Sequence, residues 1–182
     1  DMSVREIIQQ RHTVRRFTDQ PVDRDILRQC IEAGRLAPSA ENVQPWRYVI
    51  IDDPEVKTSL VSNAFSGIYR PTRWAAGAPV LVVMCAKLDV LANRLGKQIT
   101  GLSYYLIDIG ISGEHVVLQA EELGLGSCWI GWFSTRGASK ALNLPRSWRP
   151  VAVLAMGYPS DVQPRQKTKL DLEDICYFNT VR

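Results

Sequence analysis

Apolar and polar positions alternate with two different periods along this chain, and the two periods predict interleaved helices and strands. Apolar residues spaced three and four positions apart predict helices, at 3–10, 23–36, 53–64, 88–96, 102–123 and 134–142. Alternating or continuous apolar runs predict strands, at 48–51, 80–85, 127–133 and 151–156. Because the elements do not follow a strict strand–helix–strand repeat, we predict the α+β class, with a sheet flanked by helices.

Capping signals mark where several of these helices begin and end. Ser3 and Glu6 form the S-x-x-E pattern of a capping box, in which each side chain binds the backbone N–H of the other residue. Asp23 and Asp53 are predicted N-caps of the next two helices. Helical spacing predicts that Val56, Leu60, Val61 and Ala64 lie on the inner face of the second of these helices. The helix that begins at Asp23 should end before Pro38, because a residue ahead of proline avoids helical dihedral angles. The segment 37–46 is therefore predicted to be a loop.

Two apolar features predict packing beyond single elements. The run 80–85 is apolar throughout, which indicates a central strand covered on both faces. The helix at 102–123 carries one stripe of apolar residues and glycines, formed by Leu106, Ile109, Gly110, Gly113, Val117 and Ala120. Glycines in a stripe let another helix approach closely, as at an intersubunit contact.

Apolar residues at 175–178 have no partner within their own segment, so we expect the tail to pack elsewhere, such as around a second subunit.

Length and charge narrow the class of protein. A chain of 182 residues is predicted to form a single domain, 1–182. Its net charge of +3 is mild, and the basic residues form neither a run nor a stripe. No nucleic-acid partner is therefore predicted. The mild positive charge is compatible with a small anionic ligand.

The cysteines and the apolar runs bear on location. Cys30, Cys85, Cys128 and Cys176 lie far apart and form no C-x-x-C pair, so neither a zinc nor an iron–sulfur site is predicted. We expect thiols buried in the core, in a reducing compartment. No stretch is apolar enough to span a membrane, and no signal-peptide pattern begins the chain. These features predict a cytoplasmic protein without a membrane partner.

The most concentrated charge lies in the stretch 11–17. If this stretch is extended, Arg11, Thr13 and Arg15 lie on one face, because side chains alternate along a strand. Two guanidinium groups and a hydroxyl suit a phosphate or another compact anion, since arginine binds oxyanions through paired hydrogen bonds. On these residues alone, a solvated basic turn is the more ordinary interpretation. Arg16 lies on the opposite face and is assigned a structural role.

Five stretches resemble, in order, the motifs of one family of flavin enzymes. They are R-H-T-x-R at 11–15, A-P-S-A-E-N-x-Q-P-W at 37–46, L-G-L-G-S-C-W-I-G at 123–131, M-G-Y-P at 156–159 and P-R-x-K-x-K-x-x-L-E-D-I at 164–175. Together they make the chain resemble the nitroreductase family of FMN-dependent NAD(P)H oxidoreductases.

The resemblance implies a fold, an assembly and an activity. The implied fold is a central mixed sheet flanked by helices, in an intertwined homodimer with FMN at the subunit interface. The implied reaction is ping-pong: NADH or NADPH reduces bound FMN, and the electrons then pass to a nitroaromatic, a quinone or a similar small acceptor. FMN performs the chemistry, so no protein nucleophile or acid–base pair is implied. No G-x-G-x-x-G dinucleotide fingerprint is present, and a nicotinamide that only visits the flavin needs none.

By resemblance, basic residues hold the FMN phosphate and adjust the flavin. Arg11 and Thr13 match phosphate ligands, and His12 contributes at the same end. Arg15 and Arg73 match cations near the pyrimidine edge of the flavin, where they tune its electrons.

Three further basic residues extend this set of matches. Arg70 has an equally good interpretation as half of a surface ion pair, and Lys167 and Lys169 match a K-x-R pair that reaches the phosphate. Lysine at 169 keeps the charge but lacks the guanidinium fork.

Two further segments are implied to contact FMN. The loop residues Pro38, Ser39, Ala40 and Asn42 match those that reach the flavin from the partner subunit. Ile130, Gly131 and Trp132 match the segment whose backbone N–H faces flavin N5. The family often has Gly-Gly where this chain has Gly131-Trp132. The indole could narrow the pocket, stack on a substrate or pack in the core.

Alternative functions remain open at this point. The resemblance also covers flavin-dependent dehalogenases, flavin-destroying enzymes and dehydrogenases of the same fold. A non-catalytic protein that binds or stores flavin is a further possibility. It would bind FMN without oxidising NAD(P)H.

Overall fold

The sheet at the centre of the fold has four strands in the order β1-β2-β4-β3, and each neighbouring pair is antiparallel. The strands are Trp46–Ile51 (β1), Val80–Lys87 (β2), Gly126–Ile130 (β3) and Trp148–Gly157 (β4). Thr13 adds a parallel bridge to Ser127 of β3. The predicted α+β class is confirmed. In the described part of the chain, that bridge alone gives the sheet its mixed character.

A computed structural model describes residues 2–90, 103–160 and 167–181. Its α-helices are Val4–Gln10 (α1), Arg24–Arg35 (α2), Pro54–Ala64 (α3), Tyr104–Glu122 (α4) and Thr135–Ala141 (α5). Shorter 3₁₀ segments occur at Ala40–Asn42, Gly67–Gly77, Leu88–Val90 and Leu172–Asp174. The helix predicted at 88–96 begins with one of these segments, and its remainder lies outside the described residues.

The predicted caps form as the local sequence requires. Ser3 Oγ accepts the N–H of Glu6 at 3.3 Å, and Glu6 Oε2 accepts the N–H of Ser3 at 2.7 Å. Both hydrogen bonds of the predicted capping box are thus present. Asp23 and Asp53 accept backbone N–H groups in the first turns of α2 and α3. These caps satisfy donors that a helix N-terminus leaves unpaired.

Strand β2 lies inside the sheet and is covered by helices on both faces, as its apolar run predicts. Every residue from Val80 to Ala86 is buried. Alternate side chains point to opposite faces, so Val82 and Met84 pack with α2 and α4 while Leu81 and Val83 pack with α3 and α5. Each side of the sheet therefore has its own hydrophobic cluster.

The prediction for Val56 is wrong. Val56 is predicted on the inner face of its helix but is 41% exposed, because residues 53–56 at the start of α3 all face solvent. Leu106 and Gly110 lie at the edge of the buried face of α4, which is centred on Ile109 and Val116, and both are exposed in the single chain. Their part in an intersubunit contact stays a prediction.

Gly113, by contrast, serves a contact within the chain. A Cβ at this position would overlap the ring of Trp129 and would lie 2.7 Å from Met84 Cε. The absence of a side chain therefore lets α4 approach the sheet. The prediction that Gly113 admits another helix is wrong, because side chains of the sheet fill the space beside it.

The cysteines are free thiols, and three of the four belong to the core. Burial raises the pKa of Cys30 to about 11 and that of Cys85 to about 12. These two thiols are therefore protonated and unreactive at neutral pH. Cys176, which was also expected in the core, is exposed. Within the described ranges no helix is long and apolar enough to cross a membrane.

Candidate functional site

The basic stretch after α1 is extended and docks on β3. Val14 N–H donates to the carbonyl oxygen of Ser127 at 2.9 Å, and Val14 itself is buried. A Cβ on Gly126 would lie 2.7 Å from Val14 Cγ2, so a glycine at 126 permits this close docking. Because side chains alternate, Thr13 and Arg15 project away from Val14. This is the shared face that the sequence predicts.

A group of cations from both ends of the chain meets beside the end of α1. Lys167 Nζ donates to the carbonyl oxygen of Ile8 at 2.8 Å, across 159 positions of sequence. Burial lowers the pKa of Lys167 most, and the positive charges of Arg11 and Lys169 lower it further. Lys167 therefore lies close enough to Arg11 and to Lys169 for its charge to be repelled by theirs. We call these three residues the cationic cluster.

Acidic neighbours neutralise the cationic cluster only in part. Arg11 Nε lies 3.9 Å from Glu114 Oε1, the limit of an ion-pair contact. Burial raises the pKa of Glu121, against the opposing charges of His12, Arg11 and Lys167. Burial therefore raises the pKa of Glu121 by more than the neighbouring positive charges lower it. A bound anion would relieve the repulsion between the cations, and charge-assisted hydrogen bonds would hold it.

Arg15 lies on an aromatic ring. Its guanidinium carbon is 5.9 Å from the ring centroid of Trp74, within the range of a cation–π contact. The charges of Arg15 and Arg11 also lower the pKa of the Cys128 thiol, although burial raises it by more. Arg15 is thus fixed between β3 and the segment Gly67–Gly77. Trp74 is not among the residues that the sequence motifs indicate, although it directly follows Arg73.

The segment Gly67–Gly77 carries the two other predicted arginines. It consists of 3₁₀ turns with Pro71 inside. Arg70 and Arg73 are both exposed. Arg73 directly precedes Trp74, whose ring lies against the guanidinium group of Arg15.

Trp132 joins this segment to the turn after β3. Its indole N–H donates to the carbonyl oxygen of Ile68 at 2.9 Å, and its ring lies 5.2 Å from that of Tyr69. Thr72 Oγ1 donates to the carbonyl oxygen of Trp132 at 2.8 Å. Trp132 remains 54% exposed, so it is not a core residue. Ile130 is the buried end of β3 and Gly131 is exposed beside it.

The predicted flavin loop is held by a different part of α4. Ala40 N–H donates to Asp108 Oδ1 at 3.0 Å, and Ser39 Oγ accepts the N–H of Gln44 at 2.9 Å. Pro38 and Asn42 are exposed. Arg11 instead approaches Glu114, six residues or about 9 Å further along α4. The loop and the cationic cluster thus contact separate parts of the same helix.

A groove of about 670 Å³ lies elsewhere, between α2, the loop and the edge strand β1. Its basic residues include Arg28 and Arg35, whose guanidinium groups lie 2.6 Å from Asp25 and Glu32 respectively. These local ion pairs cancel much of the charge that an anion would need. The groove also contains none of the predicted site residues.

No group of three or more His, Cys, Asp or Glu residues that could hold a metal is found in residues 2–90, 103–160 and 167–181. The predicted site residues themselves offer basic, hydroxyl and aromatic groups. Such a set can bind an anionic, planar molecule.

The chain is similar to known proteins over most of its length. Residues 8–158 match the family model described as the Nitroreductase family. An NADH dehydrogenase of Thermus thermophilus is 30% identical over 183 residues, covering 83% of this chain and 84% of the relative. A crystal structure of a nitroreductase family protein from Clostridium difficile superposes with a TM-score of 0.82 at 28% identity, covering all of both chains.

A second solved structure shares the fold at lower identity. It is an FMN-dependent nitroreductase from Clostridium difficile, with a TM-score of 0.75 and 22% identity, covering 96% of this chain and 98% of the other. The family model and the matched relatives confirm the resemblance read from the five motifs. The chain therefore belongs to the nitroreductase family and is an oxidoreductase of that family.

Proposed function

We propose that this chain binds FMN, accepts hydride from NADH or NADPH onto it, and passes the electrons to a small acceptor such as a nitroaromatic or a quinone. The two half-reactions alternate at one flavin face, in a ping-pong sequence. The observation that carries this proposal is the cationic cluster, in which Lys167 and Lys169 meet Arg11 from the other end of the chain.

The cationic cluster fits the phosphate of FMN. Arg11 supplies a planar set of donors, Lys167 and Lys169 supply charge, and Thr13 supplies a hydroxyl on the same face. His12, whose Nδ1 lies 3.2 Å from the carbonyl oxygen of Gln10, borders this end of the site. A phosphate dianion would replace the repulsion among these cations by charge-assisted hydrogen bonds.

Other residues would orient and tune the flavin. When bound, FMN supplies the hydride-accepting chemistry. Arg15 and Arg73 would place positive charge where the reduced ring gains negative charge, and Trp74 holds Arg15 in position. The exposed backbone at Gly131 follows the buried end of β3 and would present its N–H to the ring. Arg70 would add charge at the rim.

Trp132 would form one wall of the acceptor pocket. Its indole is held by Ile68 and Tyr69 while more than half of it stays exposed. A fixed and exposed aromatic surface beside a flavin favours flat, aromatic acceptors.

An anaerobic reduction experiment tests the enzyme claim. FMN-loaded protein is mixed with NADH or NADPH, and the visible absorption of the flavin is followed. We expect the band to bleach, and to return when a quinone or a nitroaromatic is added. A flavin-storage protein would keep its absorption unchanged with both nicotinamides, and that result would overturn the proposed reaction.

We also propose a homodimer in which the tail wraps the second subunit and the loop Pro38–Asn42 reaches the partner's FMN. The described tail, 167–181, exposes a series of apolar residues in one chain, namely Leu170, Leu172, Ile175, Tyr177, Phe178 and Val181. Phe178 is 86% exposed. So much apolar surface in one segment is typical of a protein–protein contact.

Removal of residues 170–182 is expected to weaken the dimer at least about tenfold, because the apolar contacts of the tail are lost. Analytical ultracentrifugation over a range of protein concentrations measures the dissociation constant. Val56→Asp is the control, since Val56 is a 41% exposed apolar residue that belongs to α3 and not to the tail. A truncated chain that dimerises as tightly as the full chain would contradict the role of the tail.

A further inference from the structure

One carboxylate lies buried where the helix face around it is mostly apolar. Asp108 of α4 is 4% exposed, in a turn that also buries Tyr105 and Ile109. Its Oδ1 accepts the N–H of Ala40 at 3.0 Å. Its Oδ2 is buried and has no hydrogen-bond partner among the residues that the structure describes. None of the sequence motifs indicates a role for this residue.

Stability alone does not account for an aspartate at this position. A buried carboxylate loses its hydration, and an oxygen without a donor does not regain that energy within the protein. An apolar side chain of similar size would avoid the loss. Departures of this kind are concentrated at functional sites, where one requirement of stability gives way to a requirement of activity.

The segment that Asp108 holds has an unusual backbone. Glu41, Asn42 and Gln44 have φ values of 51°, 55° and 51°, in the left-handed region that residues other than glycine seldom adopt. They are three of the five such residues in the described ranges. A strained backbone persists only where surrounding contacts hold it. The contacts that hold this backbone include the bond from Ala40 N–H to Asp108 Oδ1 and the bond from Gln44 N–H to Ser39 Oγ.

We propose that Asp108 is a positioning residue, whose carboxylate holds the loop 39–44 in the strained form that presents Asn42 to FMN. This role rests on the proposed function, in which the loop contacts the cofactor. A carboxylate suits the task because its hydrogen bond to a backbone N–H is charge-assisted. Such a bond is strong enough to compete with water for the N–H of an exposed loop. The bond fixes the first residue of the turn, and the left-handed residues follow directly.

The affinity for FMN, measured by quenching of flavin fluorescence, tests the role. Asp108→Leu is expected to raise the dissociation constant for FMN at least about tenfold, and to speed amide hydrogen exchange in 39–44. Ser112→Ala is the matched control. Ser112 is buried one turn further along α4, and its hydroxyl donates to the carbonyl oxygen of Gly34, not to the loop. We expect Ser112→Ala to change FMN affinity by less than about threefold.

A second variant removes the donor and leaves the helix intact. Ala40→Pro deletes only the N–H that Asp108 accepts. Proline is compatible there because Ala40 is the first residue of its turn, and Ser39 before it is extended at φ −141° and ψ 156°. We expect Ala40→Pro to weaken FMN binding about as much as Asp108→Leu does. The double variant should bind no more weakly than either single variant, because both remove one hydrogen bond.

These measurements separate the two claims. If the unchanged chain binds no FMN, the proposed function is wrong and this role falls with it. If the unchanged chain binds FMN and Asp108→Leu binds it equally well, only the role of Asp108 is overturned. Additive effects in the double variant would likewise show that the two residues act separately, and would overturn it.

Discussion

Arg11→Ala is expected to raise the dissociation constant for FMN by roughly 10- to 100-fold. Arg11 is the only member of the cationic cluster with a guanidinium group, and its own acidic contact, with Glu114 at 3.9 Å, is loose. A hydrogen bond to a charged group contributes about 1.5–3 kcal/mol, and 1.4 kcal/mol corresponds to a tenfold change in binding. Fluorescence titration of the apoprotein with FMN measures the change.

Riboflavin and Arg16→Ala are the controls for this prediction. Riboflavin lacks the phosphate, so Arg11→Ala should change its affinity far less than that of FMN. Arg16→Ala removes the same charge from a neighbouring exposed position, on the face opposite Thr13 and Arg15. Equal losses for FMN and riboflavin would show that Arg11 does not act through the phosphate. Equal losses in the two arginine variants would show that the effect is one of net charge.

Arg15→Ala is expected to lower the reduction potential of bound FMN by roughly 20–60 mV. The reduced flavin gains negative charge, and a cation fixed beside it stabilises that form more than the oxidised one. For a two-electron couple about 30 mV corresponds to 1.4 kcal/mol, so the expected shift represents about 1–3 kcal/mol. Spectroelectrochemical titration of the loaded protein measures the potential.

The conservative variant Arg15→Lys tests whether charge is the cause. Lysine keeps the positive charge, so most of the potential should be retained even though the planar contact with Trp74 is lost. Arg16→Ala should leave the potential within about 10 mV of the unchanged protein, since exposed charges are strongly screened. If Arg15→Ala left the potential unchanged, the division of roles between Arg11 and Arg15 would be wrong.

The parts of the fold that the sequence predicts well depend on neighbouring residues. The capping box of Ser3 and Glu6 and the caps at Asp23 and Asp53 need only a few adjacent positions, and all three form. The buried run of β2 is equally local. Val56 was placed wrongly because helical spacing gives the face of a residue but not whether that turn reaches the core.

The parts of the site that the sequence does not predict depend on distant contacts. Nothing near Arg15 in the sequence indicates that Trp74 will lie beneath its guanidinium group. Asp108 did leave a signal, because it interrupts a helical face that is otherwise mostly apolar or small. That signal identifies a buried carboxylate, whereas its partner Ala40 lies 68 positions away and is known only from the structure.

Calorimetric titration of the purified apoprotein with FMN, and separately with riboflavin, tests the central claim most directly. The cationic cluster predicts about one FMN bound per chain, with riboflavin binding at least about tenfold more weakly because it lacks the phosphate. No binding of FMN, or equal affinities for the two flavins, would contradict the assignment of Arg11, Lys167 and Lys169 as the phosphate site.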